Sequence, residues 1–244
     1  MPKSKKVKTA PDSWIVNSGP ANASLNSSDD YSAVLVGENG TAKVVAHQSI
    51  AAALVGGIAH CVDRVALAGD SGVANVGDGA VAVTGLSGYA QSELYSMAFS
   101  NSGGWARSLE TGIAFAIGGL AETIGTGVAI VTAKIDPGGS PQYARGIARA
   151  GPGGIAIALG EGNLVLAGDK GLLVGWDNSG GTNLTTASPV SSASATKPNQ
   201  LYLFKMGKFL PLTVQQLIKA NKDIAAWKAT GLKVPIARLS RPRR

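Results

Sequence analysis

The chain has 244 residues, 33 of them glycine, with 45% hydrophobic, 5% aromatic and 15% charged residues and a formal net charge of +7. So few aromatics exclude a globular core of large interlocking side chains, and so high an apolar content excludes a disordered polar chain. The single cysteine, Cys61, excludes an internal disulfide and leaves the redox compartment open.

The N-terminus, MPKSKKVK (Met1–Lys8), is basic but has no apolar segment behind it, so no Sec-type signal peptide is expected. No run of about 18 apolar residues follows anywhere, so no membrane-spanning helix is expected. Residues 1–32 are read as a basic, flexible arm, and LKVPIARLSRPRR (Leu232–Arg244) as a second basic tail. Such tails suit acidic surfaces, nucleic acid or anionic lipid, or are simply solvated.

From residue 33 to 180 the chain repeats itself. Ala66, Ala74, Ala82, Ala90, Ala98, Ala106 and Ala114 recur every eight residues. Before them stand Val65, Val73, Val81, Tyr89, Met97, Trp105 and Ile113. Between the units lie GDSG, GDGA, GLSG, NSGG and LETG, so each unit reads as a short strand and a tight turn. The pattern extends upstream through Ile58-Ala59-His60 and Val45-Ala46-His47, and downstream past the insertion AKIDPGGSPQ (Ala133–Gln142) to Leu172-Leu173-Val174.

The residues after the alanines double the period. Leu67, Val83, Phe99 and Phe115 are apolar; Asn75, Gln91 and Arg107, which alternate with them, are polar. His60, Glu122 and Arg149 fall in the polar set, and Ile130 and Ile157 in the apolar one. Neighbouring side chains on a strand point to opposite faces. The polar residues therefore face outward and the alanines inward. This predicts an all-β fold: a β-solenoid, or β-roll, of two sheets with coils of about sixteen residues and a thin interior of Ala, Ser, Thr and a few Val. Stacked at about 4.8 Å, seven to nine such coils make a rod of roughly 35–45 Å.

The two outer faces differ. One carries Val65, Leu67, Val81, Val83, Met97, Phe99, Ile113, Phe115, Val128 and Ile130. So large an apolar patch needs a cover, either another subunit or the chain's own termini, and is the candidate oligomer interface. The other carries Tyr89, Trp105 and Arg107 among polar neighbours. Two stacked aromatics beside an arginine are the candidate ligand face, suited to a sugar ring or a base, or else pack as a simple ladder.

Residues 181–200 form a Ser/Thr-rich linker, and residues 201–244 a hairpin, a helix and the basic tail. The hairpin turns near Met206-Gly207. Thr213 with Gln216 three later is a capping-box start, and Leu217, Ala220, Ile224 and Trp227 share one helical face. Gly231 and Pro235 mark the helix end. The module reads as a cap for the last coil, which solenoids require, or as a small partner-binding unit.

No chemistry stands out. His60-Cys61 is the only His/Cys pair, and adjacent strand residues point apart, which makes a poor metal site. Asp70, Asp78 and Asp169 follow glycines at turns but lack the nonapeptide calcium motif of Ca²⁺-binding rolls. GPGGIAIALGEGN (Gly151–Asn163) lacks a phosphate-loop Lys-Ser/Thr. No Ser/His/Asp set is spaced for nucleophilic catalysis. No catalytic residue, metal or cofactor is expected, and the protein is read as a non-enzyme.

SGVANVG, GAVAVTG, TGVAIVT and GGIAIALGEGN resemble the units of the β-roll heads of trimeric autotransporter adhesins. The resemblance covers about 140 residues and implies three rolls packing apolar faces around an axis. The coil length, the missing export signal and the missing membrane anchor depart from that family; similar rolls in trimeric phage fibre and virion proteins need neither feature. The resemblance implies a structural or adhesion protein of a virion, fibre or surface assembly, made in the cytoplasm. Its partners would be itself, other assembly proteins through the N-terminal arm, and a glycan or cell-surface receptor. Two alternatives stay open: a nucleic-acid-associated scaffold acting through basic tails, and a carrier for a C-terminal effector.

Overall fold

The computed structural model describes residues 15–132, 146–160, 162–177, 183–187 and 197–232. Its strands are β1 (Ile15–Gly19), β2 (Ser24–Ser27), β3 (Ser32–Val36), β4 (Thr41–Val44), β5 (Ser49–Ala53), β6 (Ile58–Cys61), β7 (Arg64–Ala68) and β8 (Val73–Val76). They continue with β9 (Val81–Thr84), β10 (Tyr89–Ser92), β11 (Met97–Ser100), β12 (Trp105–Ser108), β13 (Ile113–Ile117), β14 (Leu120–Thr123) and β15 (Val128–Thr132). After the insertion come β16 (Ile147–Ala150), β17 (Ile155–Leu159), β18 (Leu164–Ala167), β19 (Leu172–Asp177), β20 (Asn183–Ala187), β21 (Tyr202–Lys205), β22 (Lys208–Pro211) and the helix α1 (Val214–Leu232).

Odd-numbered strands from β1 to β19 stack in parallel into one sheet and even-numbered strands from β2 to β18 into the other, giving a β-solenoid of about nine turns. We call these the odd and even sheets. The sixteen-residue period is exact in the centre: Val65 pairs Val81, and Met97 pairs Ile113. It lengthens to seventeen at the ends (Ile15 with Ser32, Ile155 with Leu172) and shortens to fifteen at Ser49–Arg64 and Ile113–Val128. Turns at the solenoid edges absorb these differences, so the strand register never slips.

Many of the strands are short because a residue with positive φ turns the chain after them. Asn22, Asn39, Ser71 and Ser87 take φ between 53° and 59°, and Gly56 and Gly103 take 68° and 75° in equivalent turns. Small polar residues and glycine tolerate this left-handed backbone. The turns also bond coil to coil: Asn39 N donates to Val55 O at 2.9 Å, and Ser71 N to Leu86 O at 2.7 Å.

The interior is a column of alanines. Ala66, Ala74, Ala82, Ala90, Ala106 and Ala114 are wholly buried, and Ala98 nearly so. Ser100 and Ser96 line the corners and satisfy their hydroxyls on backbone, donating to Gly88 O at 3.1 Å and Gly77 O at 2.8 Å. An interior this thin has few methylenes to bury, so the parallel backbone ladders hold the coils and the outer faces supply the larger side chains.

Several boundaries differ from the sequence reading. The solenoid starts at β1 rather than at residue 33, because β1 and β2 pair with β3 and β4 as a first coil. Val45, Ala46 and His47 lie in a turn; the strand is β4, with Ala42 buried inside. The linker contributes β20, which pairs antiparallel with β19. The hairpin is as expected, β21–β22 turning on Met206 (φ 51°) and Gly207 (φ 66°), and β21 pairs antiparallel with β18. The two sheets are thus closed at their C-terminal end by chain running the opposite way, which removes a parallel template edge. Helix α1 starts on the expected box: Thr213 N donates to Gln216 Oε1 at 2.9 Å and Gln216 N to Thr213 Oγ1 at 3.3 Å. It runs through Gly231 to Leu232. Among the described residues no helix is long and apolar enough to cross a membrane. The segments 1–14, 133–145 and 233–244, with the basic tails and Pro235, lie outside the described residues.

Candidate functional site

The outer face of the odd sheet is the apolar surface expected. One row runs Leu35, Ala52, Leu67, Val83, Phe99, Phe115, Ile130, Ile157, Val174; a second runs Ala33, Ile50, Val65, Val81, Met97, Ile113, Val128, Ile155, Leu172. Every residue named for the candidate interface lies in these rows. Leu35, Leu67 and Met97 are about two-fifths exposed, and the others shield each other in the row. Phe99 and Phe115 stack with ring centroids 5.0 Å apart and planes within 5°. No charged side chain interrupts either row.

The outer face of the even sheet also carries two rows, but they differ from each other. The polar row runs Asn26, Lys43, His60, Asn75, Gln91, Arg107, Glu122, Arg149, one per coil. Beside it run Ile58, Val73, Tyr89, Trp105, Leu120, Ile147 and Leu164. Tyr89 and Trp105 do stack, with centroids 4.5 Å apart and planes tilted by 39°. They are not an open ligand face, however. Tyr89 is 1% and Trp105 3% exposed, within an apolar cluster that includes Leu120, Leu201, Leu203 and Ala220 of α1. The burial has a physical cause: the apolar stripe of α1 needs a surface, and this aromatic row is the one it meets. Arg107 stays at the margin, its side chain 27% exposed.

Glu122 organises this face. Its Oε1 accepts from Arg149 Nη1 at 2.9 Å and from Lys228 Nζ at 3.0 Å, and its Oε2 lies 3.8 Å from Arg107 Nε. One carboxylate, whose side chain is 10% exposed, therefore answers three cations. Lys228 Nζ and Arg107 Cζ also lie 5.3 Å and 5.5 Å from the Trp105 ring centroid, within cation–π range. The Tyr89 hydroxyl donates to Gln91 Oε1. Burial pushes that phenol up to about 12, against the opposing pull of Arg107. Further along the row, burial and then the Lys43 charge push His60 down to about 4, so it is neutral at pH 7 and its Nδ1 meets Asn75 Nδ2 at 3.2 Å.

Beyond Glu122 the same face opens into a cleft of about 430 Å³ between α1, the stretch 199–201 and the outer surface of β16 and β18. Arg149 and Leu166 form its floor; Leu201, Leu212, Leu217 and Ile224 form apolar walls; Asn199, Gln200 and Asn221 stand among them. The sequence placed Glu122 and Arg149 in the polar row but offered no sign that Lys228 joins them, because the residues are far apart in the chain.

The remaining candidates have structural roles. Cys61 is buried, its thiol donating to Ser49 O and Asp63 O at 3.1 Å, and burial pushes its pKa up. His60 faces outward from the next position, as alternation requires. Asp70 Oδ1 accepts from Leu86 N at 2.7 Å and Asp78 Oδ1 from Leu94 N at 3.2 Å, each one coil on, so these carboxylates brace turns. Among the described residues no three His, Cys, Asp or Glu side chains gather as a metal-binding set. Compared with known protein families, curated proteins and solved structures, the chain has no match.

Proposed function

We propose that the protein is a non-enzymatic structural or adhesion component whose solenoid self-associates through the odd sheet, as a trimer, in a virion, fibre or surface assembly. The observation that carries this reading is the pair of unbroken apolar rows spanning nine coils from Leu35 and Ala33 to Val174 and Leu172. Nine coils at about 4.8 Å, each presenting about 14 Å of strand, give a footprint of roughly 600 Å² before side-chain relief is counted. That reaches the upper end of what soluble monomers expose in one patch, and approaches the roughly 800 Å² per partner of a stable interface. A second copy presents the same rows at the same 4.8 Å spacing, so its ridges fit the grooves between coils. The trimer, and the virion or surface setting, follow from the resemblance to β-roll heads and fibre proteins.

Multi-angle light scattering of the purified chain tests the reading. The expected result is a single species at about three times the 24.6 kDa chain mass. A monodisperse monomer at micromolar concentration overturns it.

A further inference from the structure

We propose that the cleft between α1 and the even sheet binds a short apolar peptide segment through its carboxylate. Three features support this. The first is charge. Among the described residues Glu122 is the one acid in contact with Arg107, Arg149 and Lys228, so one negative charge there faces three positive ones. Arg149 is the one of the three that also floors the cleft. One guanidinium nitrogen is committed to Glu122, and the planar fork has further N–H groups for a carboxylate.

The second is shape and apolar lining. The cleft's volume, about 430 Å³, falls within the range of ligand sites. Leu166, Leu212 and Ile224 are only half-buried and Leu217 is 42% exposed, so apolar surface remains uncovered beside the cation. An occupant with branched aliphatic side chains would complete the packing that α1 leaves unfinished.

The third is the carboxamides. Asn199, Gln200 and Asn221 line the same cleft. Asn199 and Asn221 are exposed and Gln200 half-buried, so they offer hydrogen bonds that a hydrocarbon chain cannot use. A peptide offers N–H and C=O groups at a spacing that carboxamides can pair with. The geometry therefore favours a peptide over a fatty acid. The site does not depend on the state of the odd sheet, which lies on the opposite side of the solenoid.

Isothermal titration of the full chain tests this, using the acetylated tetrapeptide Leu-Ala-Leu-Leu with a free C-terminal carboxylate, the same peptide as its C-terminal amide, and decanoate. The free acid should saturate one site per chain, and the amide should bind about tenfold more weakly or not at all. Arg149→Gln should remove the preference for the acid, and Leu217→Asn, at a part-exposed position, should weaken the acid several-fold with unchanged circular dichroism. Failure of the free acid to saturate, equal affinity for acid and amide, or a preference that survives Arg149→Gln each overturns the proposal. Arg149-dependent binding of decanoate without binding of the peptide also overturns it and assigns the cleft to an acyl chain.

Discussion

Lys228 Nζ lies 3.0 Å from Glu122 Oε1 across 106 residues of sequence, and this pair joins the C-terminal helix to the solenoid wall. The same nitrogen lies 5.3 Å from the centre of the Trp105 ring. The helix is therefore held by an apolar stripe, a cation–π contact and a shared carboxylate, all on the polar and aromatic rows of the even sheet.

Removing the carboxylate should cost more than removing any one of the three cations beside it. Glu122→Ala leaves Arg107, Arg149 and Lys228 together with no counter-charge, and should destabilise the fold by about 2–3 kcal/mol, the side chain being mostly buried. Lys228→Met leaves Glu122 paired with Arg149, and should cost only about 0.5–1 kcal/mol because the lysine is partly solvated. Urea denaturation of both variants checks the order; equal losses would remove Glu122 as the hub.

A charge in the centre of the odd sheet should dissociate the proposed trimer. Phe99→Glu breaks the stack on Phe115 and places a carboxylate amid both apolar rows. A shift to the monomer mass in light scattering, with the β-sheet circular dichroism retained, is the expected outcome. An oligomer of unchanged size would show that this face is not the interface.

Acid should weaken the fold through His60. Its folded pKa is pushed down to about 4 from an ordinary value of 6.5, so the unfolded chain binds the extra proton between those values. Stability is then full above about pH 6.5, falls as pH drops, and levels off below about 4, for a total on the order of 3 kcal/mol. Wild type and His60→Asn should lose this component differently: the difference in unfolding free energy between them should shrink toward acid pH. A difference independent of pH from 7 to 4 would contradict the burial of a neutral imidazole.

Glycines at the solenoid corners should not be equivalent. A Cβ on Gly72 would lie 2.8 Å from both Ala68 Cβ and Gly57 O, the latter backbone of the previous coil. Gly72→Ala should therefore cost about 2–4 kcal/mol, since a coil has to move. Gly79 has φ +69° and open space around it, so Gly79→Ala meets only backbone strain, about 1 kcal/mol. Thermal melts of the two variants compare them directly.

Much of this architecture was readable because a solenoid is written locally. Ala90 and Ala106, sixteen apart, pair as adjacent rungs, and so do Met97 and Ile113. The apolar outer face was readable for the same reason: residues such as Phe99 and Phe115 alternate with inward alanines on their own strands. The first coil was not, because Ile15–Gly19 and Ser24–Ser27 lack the alanine signature and read as tail. The fate of Tyr89 and Trp105 was not readable either. Their outward direction followed from alternation, but the apolar cluster that buries them takes in α1, which packs on the Trp105 strand from far downstream.

By itself the sequence determined the repeat, the register, the inward alanines and the sign of each outer face, because in stacked coils each contact recurs at a fixed step along the chain. Only the tertiary structure decided which face α1 packs on. That choice depends on where one helix packs once, through Ala220, Ile224 and Lys228 against Trp105, Glu122 and their neighbours, and a single long-range packing event leaves no period to read.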